Sequence, residues 1–139
     1  MKTLVQLYVE GLHAALRSAA GFPALVEPSP VRAHTHVQAQ VITVQVGAER
    51  VSDGATPRVT RMREIHLLVH TAGEDGLGLA EQVFLAAHPV LMRFTGPGLV
   101  QVEELRTDEP RYVNGDLLRQ AITKRYLFTY QTADDSLSA

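Results

Sequence analysis

Two histidine pairs are the first residues in this chain that could do chemistry. His34 and His36, in "HTH", share one face of an extended segment, a spacing that can chelate an ion. His66 and His70, in "HLLVH", have the four-residue step that places two ligands on one face of a helix. The surrounding residues read as strand, however, and there the two rings stand about 13 Å apart, too far for one ion. No Glu completes a zincin-type motif between them. Surface or partly buried histidines are the ordinary reading, and no metal ligand is assigned.

Other chemistries fare no better. Glu103 and Glu104 are neighbours on a predicted strand, so their carboxylates point to opposite faces and cannot share a site. Asp108 and Glu109 sit in a predicted loop beside Pro110, where carboxylates are usually solvated. The serines (Ser18, Ser29, Ser52, Ser136 and Ser138) lie outside any nucleophile-elbow context. "GLGLAEQ" lacks the third glycine and the Lys-Ser/Thr ending of a phosphate loop, and reads as a plain helix start. No catalytic residue and no cofactor is assigned, and the chain is not expected to be an enzyme.

The elements that would have to position such residues form one domain over residues 1–139, with 133–139 expected as a flexible tail. Apolar residues make up 45% and charged residues 20%, enough to pack a core and too little charge for disorder. The net charge of −2 and a pI near 6.3 argue against broad binding to nucleic-acid phosphates. There is no cysteine, hence no thiolate chemistry and no cysteine zinc site. At the start of the chain Gln6, Tyr8, Glu10, His13 and Arg17 break every apolar run, so a secretory leader is not expected. No stretch approaches the roughly 20 apolar residues of a membrane span, and the expectation is a soluble intracellular product.

Leu4, Tyr8, Leu12, Ala15, Leu16 and Ala19 recur at helical spacing, with Gln6, Glu10, His13 and Arg17 opposite. Thr3 is placed to cap this helix, and Gly21 with Pro23 to stop it. Residues 34–46 alternate as a strand whose apolar phase switches midway, which calls for a bulge there or a change in what covers the strand. A polar hairpin tip, "GAERVSDGATPR" at 47–58, and a second strand from about 58 to 71 follow. A helix over 77–87 carries Leu77, Ala80, Phe84 and Ala87 on one stripe; Pro89 cannot continue it without a kink, though it can begin a new turn, and 89–94 reads as a short extension. Strands over 99–106 and 120–132 complete the order α-β-β-α-β-β. The fold class is α+β: an antiparallel or mixed sheet of four to five strands, with a long β-hairpin and both helices packed on one face.

Two features of this frame could meet a partner. Arg50, Arg58, Arg61 and Arg63 gather around the hairpin tip, with Glu49, Asp53 and Glu64 among them. They read as a solvated strand pair, or as a docking surface for an acidic partner or for DNA phosphates in a channel. On the closing strand Ile122, Tyr126, Phe128 and Tyr130 share one parity. That stripe is ordinarily core; part of it, or an exposed edge of the strand, could instead be buried by a neighbouring copy.

From about residue 3 to residue 132 the chain resembles the tail terminator (tail completion) proteins of long-tailed bacteriophages, of the lambda type. One part of the likeness is "LVQLYVEGLHAALRSA", leading to a strand, a long polar hairpin and a short central helix. The other is "TDEPRYVNGD", leading into "AITKRYLFTYQT" and a small polar tail. The resemblance implies a virion protein of the tail or neck, present in the host cytoplasm during assembly. It implies a homo-oligomer, a hexameric ring on the tail tube protein, that ends tube polymerisation. Such a ring offers a surface to the head–tail connector protein and leaves a lumen for DNA, with no membrane partner. Carried onto this chain, the hairpin at 47–63 is a candidate for subunit or tube contacts, with Arg50, Arg58, Arg61, Arg63, Tyr126, Phe128 and Tyr130 as interface candidates. The alternatives are another neck or head–tail joining protein, and a small ligand-binding or enzymatic α+β dimer with His34, His36 and His66 around a pocket. A nucleic-acid-binding domain is disfavoured by the acidic balance.

Overall fold

A computed structural model describes residues 1–28, 40–52, 57–112 and 119–138. Helix α1 spans Leu4–Ser18, and strands β1 and β2 span Leu25–Val26 and Val41–Val51. Strand β3 is Arg58–Ala72, helix α2 is Gly76–Met92, and β4 is Leu99–Thr107. The two-residue β5, Arg111–Tyr112, and the long β6, Arg119–Ala133, follow. The six strands form one mixed sheet in the order β1-β2-β3-β6-β4, with β5 also on β6. Only β1 and β2 run parallel. This is the expected α+β class: four long strands, two short ones, and two helices.

Helix α1 starts where a capping box forms. The Thr3 hydroxyl accepts from the Gln6 amide at 3.1 Å, and the Gln6 side chain accepts from the Thr3 amide at 2.9 Å. Its apolar face, Leu4, Tyr8, Leu12 and Leu16, is buried. His13, expected on the polar face, is only 6% exposed. Its ring is covered by β2, where it meets the Val44 amide. Gly21, at φ 66°, turns the chain out of the helix.

The core lies between the helices and one face of the sheet. The registers set Val44 beside Leu67, Ile65 beside Tyr126 and Val69 beside Ile122. Ala80, Val83, Phe84, Ala87 and Leu91 of α2 complete it. Each large apolar side chain so buried contributes about 1.5–3 kcal/mol. Tyr8 meets Phe94 and Tyr130 edge-on at 6.2 and 5.6 Å, and Phe128 lies 6.1 Å from Tyr8 and 6.0 Å from Phe94. Here α1, the end of α2 and β6 lock together.

Several expectations change. Residues 34–39 of the expected strand lie outside the described residues. From Val41 to Val44 every residue is buried, so the phase switch reflects cover on both faces. The bulge comes later: Val46 pairs Ile65 and Glu49 pairs Arg63, leaving Gly47 and Ala48 opposite Glu64 alone. Strand β2 therefore runs on to Val51, through part of the expected tip, while 53–56 lie outside the described residues. Helix α2 does not stop at Pro89 but continues to Met92. Proline there removes only the bond to Leu85 in the last turn, on a side where Leu85 is 72% exposed and its carbonyl can meet water. Leu77 is 58% exposed, outside the buried stripe. At the end of the chain the Leu4 amide donates to the Leu137 carbonyl at 2.9 Å, and the Asp134 amide to the Pro57 carbonyl at 3.1 Å.

Candidate assembly interface

Strand alternation divides the arginines of the hairpin. Arg61 and Arg63 point to the helix-bearing face, where Arg61 lies 3.8 Å and Arg63 4.0 Å from the Glu49 carboxylate. Arg61 Nε also donates to Thr132 Oγ1 at 3.0 Å. Tyr130 donates its hydroxyl to Glu49, and burial, followed by that bond and charge, raises its pKa. Arg50 points to the opposite, helix-free face, against Met62 Sδ at 3.7 Å. Arg58 reaches the Gln131 carbonyl at 3.4 Å. The four cations thus do not form one basic patch, because neighbouring strand residues face opposite ways.

Tyr126, Phe128 and Tyr130 are at most 2% exposed and face the chain's own core. The closing strand is not an edge either: β3 flanks it along one side, and β4 and β5 flank the other. The aromatics of this strand and both its sides are thus used within the chain. His88 Nδ1 lies 2.7 Å from the Tyr126 hydroxyl, and burial raises the pKa of that phenol. Burial likewise pushes the Tyr8 phenol up to about 12, and its hydroxyl donates to the Pro97 carbonyl.

The open edges lie elsewhere. Beyond Ile42, β2 has no strand neighbour among the described residues on the side away from β3, and neither has β4 on the side away from β6. His13 covers the first open position of β2: its Nε2 accepts from the Val44 amide at 3.3 Å. Past it a groove of about 610 Å³ opens between α1 and β2, lined by Val5, Val9, Val46, Glu49, Arg63 and Tyr130 among others.

The helix-free face carries a charge network that sequence reasoning missed. Arg125 donates to Asp108 through Nε at 2.9 Å and Nη2 at 2.8 Å, and to Glu64 through Nη1 at 3.2 Å. His66 Nε2 stands 3.0 Å from the same Glu64 oxygen. The His66 bond and then Arg125 lower the Glu64 pKa, and the Arg125 bond lowers that of Asp108. The pairing of β3 with β6 assembles this network; Glu64 and His66 sharing a parity was the only local signal. His70 lines the same recess, of about 330 Å³, as do Glu109 and Arg111.

The other residues singled out for chemistry hold the fold together. Glu104 pairs with Lys124 on the helix side, while Glu103 is exposed on the opposite face and accepts from Gln101 at 2.7 Å. In "GLGLAEQ", Asp75 caps α2 by accepting from the Gly78 amide at 3.2 Å. Among the described residues no group of three or more His, Asp or Glu side chains could hold a metal ion. His34 and His36 lie outside them. Among the described residues no helix is long and apolar enough to cross a membrane.

No protein-family model matches the chain, and no curated protein matches its sequence. Among solved structures it is similar to a chain from the virion of a native gene transfer agent (GTA) particle. The TM-score is 0.68 with 16% identity, covering 95% of this chain and 100% of that one. At this identity the likeness is one of fold, end to end.

Proposed function

We propose that this chain is a structural virion protein of the tail or neck: a hexameric ring that caps the tail tube. By this reading the ring ends tube polymerisation, presents a surface to the head–tail connector, and leaves a lumen through which DNA passes. The observation that carries it is the fold shared over 95% of its length with a chain of a virion. The internal economy of the polar groups supports it, since His13, His66 and His88 each serve a contact within the fold. Termination needs a surface complementary to the tube on one side of the ring and none on the other, with no covalent step. Another neck or head–tail joining role on the same core is the second reading, and position in the particle separates the two.

The test is co-assembly with a tail tube protein, followed by negative-stain microscopy and mass measurement. Six-fold rings at tube ends, and tubes that stop growing when the chain is added, are the expected result. Rings bound at the connector but not at tube ends would favour the second reading. A tight dimer that takes up zinc or turns over a substrate would overturn both.

A further inference from the structure

The two open edges of the sheet match one another. Backbone groups alternate sides along a strand, so a few bonds establish which residues face outward. On β2 the Val44 amide points away from β3 to His13, and the Ser52 amide points inward to Thr60. With the bulge at Gly47 and Ala48, the outward residues past His13 are Val46, Glu49 and Val51. On β4 the Asp108 amide turns inward to Thr123, and the Gln131 amide of β6 points outward to Gly98. Gln101 and Glu103 therefore face inward, and Val102, Glu104 and Thr107 face outward, with Leu105 bulged between the last two. Read along β4 the outward steps are two residues, then three. Read backwards along β2, from Val51 to Glu49 to Val46, they are again two, then three.

We propose that β4 of one copy pairs antiparallel with β2 of the next, Val102, Glu104 and Thr107 lying opposite Val51, Glu49 and Val46. The inference rests on the ring reading and names the surfaces that close it. Four observations support it. The long strands alternate in direction across β2, β3, β6 and β4, so a second copy added in the same sense continues the antiparallel order. Side chains of all six outward residues lie on the helix-bearing face, so the helices of both copies stay on one side. The bulges coincide. The register then sets Glu103 directly across from Arg50 on the helix-free face. Both are exposed, and neither has an ion-pair partner among the described residues. Glu104 and Glu49 also fall opposite each other, each already beside its own cations, Lys124 and the Arg61–Arg63 pair. Pairing like edges fits worse: β2 against β2, or β4 against β4, sets a two-residue step against a three. Unlike edges make a head-to-tail contact, which a ring can close.

Because the chain has no cysteine, a disulfide reports the contact without background. Residues 50 and 103 would form a non-hydrogen-bonded pair about 4.5 Å apart at Cα, within disulfide reach. Mild oxidation of an Arg50→Cys/Glu103→Cys double variant is expected to give a covalent ladder up to the full ring, while each single variant stays uncrosslinked. As a second measurement, Arg50→Glu or Glu103→Arg alone raises the concentration needed for assembly about fivefold, and the two together restore it. A single variant that dimerises fully through its own disulfide would show a two-fold contact and overturn the pairing. Rings that form without the ladder would overturn it too, leaving the capping reading intact. A ladder in a protein that does not cap tubes would uphold the pairing and remove the capping. A chain that stays monomeric at every concentration, with and without tubes, overturns both.

Discussion

Protonating His13 would set one donor facing another at the Val44 amide. Burial, and then the neighbouring Arg17, lower the His13 pKa, against a smaller opposing pull from Glu27. The unfolded imidazole titrates near 6.5, so the unfolded chain binds this proton more readily. Its contribution to stability is therefore full above about pH 6.5 and is lost as pH falls below that. Urea denaturation at a series of pH values should show that loss, and His13→Leu should flatten it. The variant should also lose about 1–3 kcal/mol at neutral pH by leaving the amide unpaired. An unchanged pH slope would mean that the imidazole is not the acceptor. Phe128→Ala makes a second prediction: about 3–5 kcal/mol lost in urea denaturation, because its phenyl group is buried within the chain. A variant that folds normally but fails to assemble would return Phe128 to an interface. Parity made the Ile122–Tyr130 stripe legible from the sequence. The cover over His13 was not, because it depends on how the helix crosses the sheet.

At the level of elements, β4 is launched by Gly98, whose φ is 70° and whose missing Cβ would lie 2.8 Å from the Gln131 carbonyl. Both the left-handed backbone and the adjacent main chain resist a side chain. Gly98→Ala should cost about 1–3 kcal/mol in thermal or chemical denaturation, whereas Gly21→Ala, with open space around it, should cost only the backbone strain. Equal losses would show that the packing against Gln131 is not tight. The helices and long strands could be read from periodicity, and Thr3 was recognisable as a cap. Helix α2 outran its proline because a missing bond in an exposed last turn costs little, a point that depends on which side faces water. Of the two causes the phase switch allowed, a bulge or a change of cover, the structure shows the change of cover, with the bulge later at Gly47. Apolar residues on both parities mark two-sided burial as readily as a break in pairing.

Across the whole molecule, one core joins both helices to all four long strands. Far-ultraviolet circular dichroism and tyrosine fluorescence should therefore report one coincident unfolding transition; two separated transitions would refute a single cooperative unit. The candidate interface was legible only in part. The arginine-rich hairpin could be seen in the sequence, yet strand order, which decides what lies at an edge, depends on pairings between distant segments. That order puts β6 between β3 and β4 although it is the last long strand in the chain. As the polypeptide leaves the ribosome, the β2–β3 hairpin can form early, but β4 has nothing to pair with until residues 119–133 emerge. Until then β4 is not yet a rim of the sheet, so under the proposed pairing a nascent chain would offer only the β2 half of the contact.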